Sequence, residues 1–303
     1  MEKIHSIDYM RAVAAFLVVC IHIPFYGEIG SIVIAYGKIA VPFFLVVCGY
    51  FCYRTDREEF SKRLKKQIRK IALLTVLANI LYLLVDIVLQ LIFSSNPIYD
   101  IKQLFTSEKW LDFAIYNQSP FADHLWYLGS LLYALIIILL LCRLKLVNYI
   151  MFAAPLLLLC YILPLRAGGD MIVWRNCIMV SVPYFMFGCI IRRYQAVFLT
   201  RLNKLLIPII ITVLIITNYI EFTIYNSVAP PFISAELLVI AIVLFLLQHP
   251  YIGKNTIIEK IGREYSLFIY IFHMSIVALI FRWYASGKIC LSFSYIVLLS
   301  WYF

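Results

Sequence analysis

Long apolar runs separated by short polar connections recur along the whole chain. Most of them approach the ~20 residues that an α-helix needs to cross a bilayer. No repeat, low-complexity stretch or flexible linker interrupts the series, so the sequence predicts a single domain over residues 1–303. The pattern predicts an all-α, polytopic transmembrane helix bundle of about ten spans. We place the spans near residues 9–26, 32–53, 71–93, 125–142, 147–164, 176–191, 205–220, 232–248, 264–281 and 290–303.

The last of these runs, residues 290–303, is short for a span. As a helix it would extend about 21 Å, against roughly 30 Å for the apolar thickness of a bilayer. It also ends abruptly, at Trp301-Tyr302-Phe303. We therefore expect that the chain is truncated at its C-terminus and that a further part follows Phe303.

Basic residues are distributed unevenly between the predicted connections. The net charge of +10 would by itself suit a nucleic-acid binder. If the N-terminus is cytoplasmic, however, 18 of the 26 Lys and Arg residues fall in cytoplasmic segments and seven in outside-facing segments. This asymmetry is the positive-inside signal of a membrane protein. It predicts a multi-pass protein of the plasma membrane with a cytoplasmic N-terminus, and no nucleic-acid partner.

The eight cysteines lie almost entirely within apolar runs and form no CxxC pair. That placement is typical of small buried hydrophobic residues rather than of a disulfide framework. The sequence also has no GxSxG elbow, no Walker loop, no HExxH motif and no Cys/His cluster with zinc spacing. It therefore argues against a serine hydrolase and a nucleotide-driven pump, and it predicts no metal site.

Two ionisable residues, Arg11 and His22, lie inside the first apolar run. Eleven residues make about three helical turns, so both side chains should project from nearly the same face, roughly 16 Å apart. Such groups are costly in a membrane unless they face a protein interior or a wet cavity. We predict that they belong to one catalytic site, with Asp8 pairing with Arg11. Taken singly, Arg11 could snorkel to the interface and His22 could be a helix contact.

A strongly basic run, residues 54–70, follows the second predicted span. One interpretation is a stop-transfer anchor that also attracts the anionic headgroups of membrane lipids. The other is an electropositive entrance for a phosphate-bearing cytoplasmic substrate. On that second interpretation Arg63 and Lys66 are donor-binding candidates, together with Arg11 and Asp8.

Five further polar or aromatic residues are candidates for contact with an acceptor or for lining a cavity. They have competing interpretations as a belt anchor, interfacial anchors or structural hydrogen bonds. Two of them open a predicted span at the outer interface, after the longest polar interval, residues 94–123. The candidates are His124, Trp126, Arg175, Asn176 and His273.

The first apolar run also carries a family resemblance. The stretch Ser6–His22 resembles the opening of the acyltransferase 3 family of integral membrane proteins, an Asp-x-x-Arg element followed by ten residues and a histidine. Cys48 stands where the family usually has a serine. The motifs are in register over nearly the whole chain. Those that follow in the same order are Val41–Phe51, His124–Leu128, Pro183–Gly188 with Arg192-Arg193, and Ser266–His273.

The resemblance implies a bacterial membrane enzyme of about ten spans. Members of the family move an acyl group, commonly acetyl, from cytoplasmic acyl-CoA to a hydroxyl of a surface glycan or another cell-envelope acceptor. The residues that match Arg11 and His22 are regarded as essential. On this basis we expect the donor to enter from the cytoplasm past Arg11, with His22 acting as general base or as a transient acyl carrier.

A transport module is the rival interpretation. The membrane half of vancomycin-resistance serine racemases is similar to the same family and is thought to deliver serine. The stretch Trp174-Arg175-Asn176-Cys177 and its spacing to Gly188 resemble that subgroup. A catalytic domain after Phe303 would favour this interpretation.

Overall fold

The computed structural model describes residues 3–225 and 231–285, and this part of the chain contains helices and no strands. Two short non-α turns, a 3₁₀ helix at Asp123–Leu125 and a π-helical turn at Cys177–Ser181, interrupt the series. The α-helices are α1 (His5–His22), α2 (Gly27–Gly37), α3 (Ala40–Cys52), α4 (Arg57–Phe93), α5 (Pro97–Gln103), α6 (Ser107–Tyr116), α7 (Trp126–Arg143), α8 (Val147–Arg166), α9 (Met171–Trp174), α10 (Val182–Arg193), α11 (Gln195–Arg201), α12 (Leu206–Tyr225), α13 (Ile233–Gln248), α14 (Ile257–Glu264) and α15 (Ser266–Ala285).

Several of these helices suit a multi-pass membrane protein. In residues 3–225 and 231–285, 5 helices are long and apolar enough to cross a bilayer, or up to 7 if each of two bent pairs is one span. The pairs are bent by 68° at α10–α11 and by 77° at α14–α15. The all-helical, multi-pass prediction is confirmed, whereas the count of about ten spans is not. The predicted span 290–303 lies outside the described residues.

Helix α4 joins two regions that the sequence pattern treats separately. Its 37 residues correspond to about 55 Å of helix, so the basic run and the third predicted span form one continuous rod. The side chain of Asp56 caps the N-terminus by accepting a hydrogen bond from the Glu59 N–H at 2.7 Å. No proline or glycine lies between Arg57 and Phe93 to end the helix. The basic residues consequently stand on an extension of a span, at the side of the bundle that we call the basic side.

Glycines allow two pairs of helices, α3 with α10 and α14 with α1, to meet backbone to backbone. A Cβ built on Gly49 of α3 would lie 2.0 Å from the carbonyl oxygen of Phe185 in α10, and one on Gly188 would lie 2.0 Å from that of Val46. One on Gly262 of α14 would lie 1.8 Å from the carbonyl oxygen of Asp8 in α1. Neither of these two helix contacts, which we call glycine seams, has room for a methyl group. The glycines of two family-like motifs therefore set the spacing of α3 and α10.

The segment between α6 and α7 enters the bundle. Asn117 adopts a left-handed conformation (φ 55°) after α6, is fully buried, and accepts a hydrogen bond from the Cys177 N–H at 2.9 Å. The Ser119 hydroxyl donates to Asn79 Oδ1 of α4 at 2.8 Å. These two attachments satisfy polar groups that the interior would otherwise leave unpaired. They precede His124, which is 5% exposed and lies in the protein interior.

Candidate active site

Three histidines from distant parts of the chain meet inside the bundle. His22 ends α1, His124 lies in the 3₁₀ helix, and His273 is in α15. The ring centroids of His22 and His273 are 5.2 Å apart, those of His124 and His273 5.1 Å, and those of His22 and His124 6.1 Å. His124 and His273 are 5% and 6% exposed, and His22 is partly buried. We call these residues the histidine cluster.

Two imidazoles of the cluster present a nitrogen without a partner. His273 Nδ1 lies 2.8 Å from the Tyr270 carbonyl oxygen and 3.1 Å from that of Ile269. A carbonyl only accepts, so Nδ1 carries the proton and Nε2 keeps its lone pair. Within the described residues, Nε2 of His273 and Nε2 of His124 are both buried without a hydrogen-bond partner. Buried polar atoms of this kind are uncommon in native structures, and here two of them belong to rings whose centroids are 5.1 Å apart.

Tyrosines fix the positions of the imidazole rings. The Tyr82 hydroxyl in α4 donates to the Ile271 carbonyl at 2.7 Å and accepts from the Ser275 N–H at 3.0 Å. Its ring packs against His124, with centroids 4.8 Å apart. The Tyr270 hydroxyl donates to the backbone carbonyl of His124 at 2.5 Å. Two tyrosine hydroxyls that bond to backbone groups therefore hold the histidine cluster in place.

Arg11 lies toward the other end of α1 and also faces protein. Its Nη1 donates to Asp8 Oδ1 at 2.8 Å, which is the predicted pairing. Its guanidinium carbon is 5.5 Å from the ring centroid of Phe51 in α3. It also interacts electrostatically with Cys48 and Tyr127. The Arg11 side chain remains 29% exposed.

Two tyrosines lie between Arg11 and the histidine cluster. Tyr127 is within electrostatic range of Arg11, and its ring centroid is 5.4 Å from that of Tyr270. Tyr270 in turn lies 6.3 Å from His273. The rings of Tyr127, Tyr270 and His273 are thus successive neighbours, and Tyr127 is the member that interacts with Arg11.

Arg175 and Asn176, which precede the π-helical turn, have different surroundings. The guanidinium carbon of Arg175 lies 4.6 Å from the ring centroid of Trp126, two residues after His124. Its Nε is buried without a hydrogen-bond partner in the described part of the chain. The Asn176 side chain instead accepts from the N–H groups of Ile178 and Met179 at 2.9 and 3.0 Å. Asn176 therefore caps the turn, whereas Arg175 borders the site.

Arg63 and Lys66 lie apart from the other candidates. Both are exposed on the extension of α4, whose opposite face buries Phe60 and Leu64. Arg63 interacts electrostatically with Arg54, in the loop before α4. The two residues are open to solvent on the basic side, and the structure does not bring them to Arg11 or to the histidine cluster.

Tyr82 and Asn79 were not among the predicted site residues. Both lie within a long apolar run, and the chain has 22 tyrosines, so neither residue type nor spacing marks Tyr82. The available signal was the placement of polar side chains at positions 75, 79, 82 and 86 of a predicted span, at helical spacing. Such a polar stripe in a transmembrane helix indicates a face turned toward the bundle interior.

An all-helical, multi-pass membrane protein with a buried polar centre is the class that the fold and site define. A family model described as an acyltransferase domain, Acyl_transf_3, matches residues 4–303. The chain belongs to the acyltransferase 3 family, and this membership supports a membrane acyltransferase. No curated protein and no solved structure matches the chain.

Proposed function

We propose that this protein transfers an acyl group, most simply acetyl, from acyl-CoA to a hydroxyl of a surface glycan or another cell-envelope acceptor. The observation that carries the proposal is the histidine cluster, in which two buried Nε2 atoms have no hydrogen-bond partner in the described structure. Hydroxyl groups donate hydrogen bonds to such atoms, and imidazole is suited to removing a hydroxyl proton. Family membership supplies the reaction class.

His22 is the proposed general base. It takes the proton from the acceptor hydroxyl, whose oxygen then attacks the carbonyl carbon of the thioester. The carbon–sulfur bond breaks, CoA leaves as a thiolate that takes up a proton, and the acyl group remains on the acceptor oxygen. His124 and His273 accept hydrogen bonds from the acceptor and orient the hydroxyl toward His22.

Arg11 is the proposed donor-binding residue. A guanidinium suits the phosphate or carbonyl oxygens of an acyl-CoA, and Asp8 holds it in one orientation. The proposed orientation, with the N-terminus cytoplasmic, follows from the excess of basic residues on one side. The donor then enters past Arg11, and its pantetheine arm follows Tyr127 and Tyr270 toward the histidine cluster.

The test uses membranes that contain the full chain, incubated with acyl-labelled acetyl-CoA. We expect label on an envelope glycan with the wild type and none with His22→Ala. His249→Ala is a matched control, since His249 packs against Phe245 and lies outside the site. Retained labelling by His22→Ala at an equal membrane level would remove His22 from the mechanism.

A second candidate function is transport of a small zwitterion such as serine. One observation favours it: Arg175 Nε, a buried donor without a partner in the described residues, interacts electrostatically with His22. A guanidinium can bind a carboxylate while imidazoles bind an ammonium group. Uptake of labelled serine by vesicles, without transfer of label from acetyl-CoA to any glycan or to the protein, would favour transport over acylation.

A further inference from the structure

A cleft on the basic side is lined by three arginines. It has a volume of about 510 Å³ and lies where α3 ends and where α10 meets α11. It is separate from the histidine cluster, and none of its residues was a predicted site residue. Its lining consists of Tyr53, Arg54, Thr55, Arg192, Arg193, Gln195, Ala196 and Leu199.

Arg192 is held in place by neutral groups. Its Nη1 donates to Gln195 Oε1 at 2.6 Å and to the Tyr50 hydroxyl at 3.3 Å, and its guanidinium carbon lies 5.3 Å from the Tyr50 ring centroid. The Tyr50 hydroxyl also donates to Gln195 Oε1 at 2.8 Å. Since Tyr50 is fully buried in α3, the guanidinium is fixed by a rigid element while its charge is not neutralised.

The other two arginines are also oriented by neutral acceptors. Arg54 Nη1 donates to the carbonyl oxygens of Tyr53 at 2.5 Å and Phe51 at 3.2 Å. Arg193 Nη1 donates to Asn148 Oδ1 at 2.6 Å. Each contact uses one nitrogen of the guanidinium, which has five N–H donors in all.

Positive charge is concentrated at this cleft. Burial, followed by repulsion from Arg63 and Arg192, lowers the pKa of Arg54 below its ordinary value, with partial compensation from Glu59. In residues 3–225 and 231–285, the ion pairs do not involve Arg192 or Arg193. Bringing like charges together is unfavourable unless a counter-charge occupies the space between them.

We infer that the cleft formed by Arg54, Arg192 and Arg193 binds a phosphate group. Guanidinium groups recognise phosphate oxygens through paired N–H donors, and here three of them line one cleft, where hydrogen bonds of Arg192 and Arg193 go to neutral acceptors in the described residues. Two sources carry this chemistry: the 3′-phosphate of CoA and the headgroup of an anionic lipid. The inference rests on the proposed function only in the choice of CoA as a probe.

A second basic cleft shows why the first is distinctive. It has a volume of about 310 Å³ and lies on the same side, between α4 and α7. Its lining has two arginines, Arg57 and Arg143, and two lysines, Lys62 and Lys65, and Glu58 supplies a carboxylate among them. A lysine presents a hydrated point charge instead of a planar fork. This cleft therefore provides matched control variants.

The test measures binding to the purified full chain in phosphatidylcholine nanodiscs, without any transfer reaction. If the source is CoA, dephospho-CoA should bind roughly tenfold more weakly than CoA, as expected for the loss of charge-assisted hydrogen bonds. Arg193→Gln and Arg192→Gln should abolish that difference. Lys65→Gln and the exposed Arg201→Gln should keep it. Arg193 is exposed, so its variant tests the cleft even if Arg192→Gln does not fold.

The second arm identifies a lipid source. If an anionic lipid fills the cleft, native mass spectrometry should detect phosphatidylglycerol retained by the wild type and by Lys65→Gln and lost from Arg193→Gln. The inference is overturned if the arginine variants match the wild type in both arms. It is also overturned if Lys65→Gln loses as much binding as the arginine variants do, because the effect would then come from general surface charge. Either result leaves the acyl-transfer assay unaffected, so the two proposals fail separately.

Discussion

The two polar regions along α1, at Arg11 and at the histidine cluster, differ in the partners that the protein gives their polar atoms. Arg11 has a carboxylate partner three residues away, and its charge is compensated by Asp8 within the same helix. At the other end, His22 meets His124 and His273, whose Nε2 atoms are buried without partners in the described structure. A compensated charge stabilises the free protein, whereas unpaired buried acceptors destabilise it unless something binds them. The proposed function accounts for this difference, since a ligand would bind the unpaired nitrogens of the histidine cluster and Arg11 would be held ready for the donor.

The largest effect should come from the histidine cluster. We expect His124→Ala and His273→Ala each to lower the acyl-transfer rate about 10–100-fold, because each removes one hydrogen bond to the reacting ligand. Membrane insertion should not change. Initial rates with labelled acetyl-CoA, at membrane levels matched by immunoblot, would check this. Wild-type rates in both variants would show that the unpaired nitrogens have no role in transfer.

Variants of Asp8 and Arg11 should impair acyl transfer to different degrees, and the larger loss should follow removal of the guanidinium itself. Asp8→Asn removes the group that orients Arg11 and should raise the KM for the donor about tenfold or less, with kcat changed less. Arg11→Gln should be more harmful than Asp8→Asn. A greater loss for Asp8→Asn would mean that the carboxylate, not the guanidinium, acts on the substrate.

A variant of Tyr82 tests whether the histidine cluster depends on the tyrosine hydroxyls that hold it in place. Tyr82→Phe removes the hydrogen bond to Ile271 and the acceptor for the Ser275 N–H, so we expect a loss of about 1–2 kcal/mol in stability. Thermal unfolding in detergent would measure it. Tyr219→Phe is the control, since Tyr219 is 42% exposed. Equal unfolding temperatures for the two variants would contradict the bracing role.

The smallest effect should appear with pH at the N-terminal end of α1. Glu259 is in α14 and is 3% exposed, and its carboxylate contacts Lys3, His5 and Arg263. Hydrogen bonds from Lys3 and then His5 lower its pKa from 4.5 to about 2. Its contribution is therefore complete above about pH 4.5 and is lost as the pH falls toward 2.

Glu259→Gln should remove this pH dependence. Unfolding temperatures of wild type and variant, measured between pH 7 and pH 3, should converge as the pH falls. The histidine cluster is identical in the two proteins, so its own titration cancels in the difference between their unfolding temperatures. A constant difference between the two proteins over the whole range would rule out the carboxylate as the source.

Much of the architecture near Arg11 follows from local sequence. The pairing of Asp8 with Arg11 is a consequence of three-residue helical spacing, and the apolar runs predict the helices themselves. The number of spans does not follow as directly, because an apolar run does not reveal the bend after Arg193 or the bend between α14 and α15. Such breaks depend on packing between helices.

The histidine cluster could be predicted only in part. His22 is marked by its depth in the first run, but the meeting with His124 depends on the buried segment between α6 and α7. That segment is held by Asn117 and Ser119, through partners that are 60 and 40 residues away in sequence. No local pattern encodes such pairs. Likewise, the position of Arg192 depends on Tyr50, 142 residues earlier.

The glycine seam between α3 and α10 has a mechanical consequence. Because main chain touches main chain at Gly49 and Gly188, rotamer changes cannot alter the gap between the two helices. Helices α3 and α10 therefore form a rigid pair, and the arginine cleft lies at one end of it. If a molecule passes through the bundle, we therefore expect other helices to move while this pair keeps its spacing.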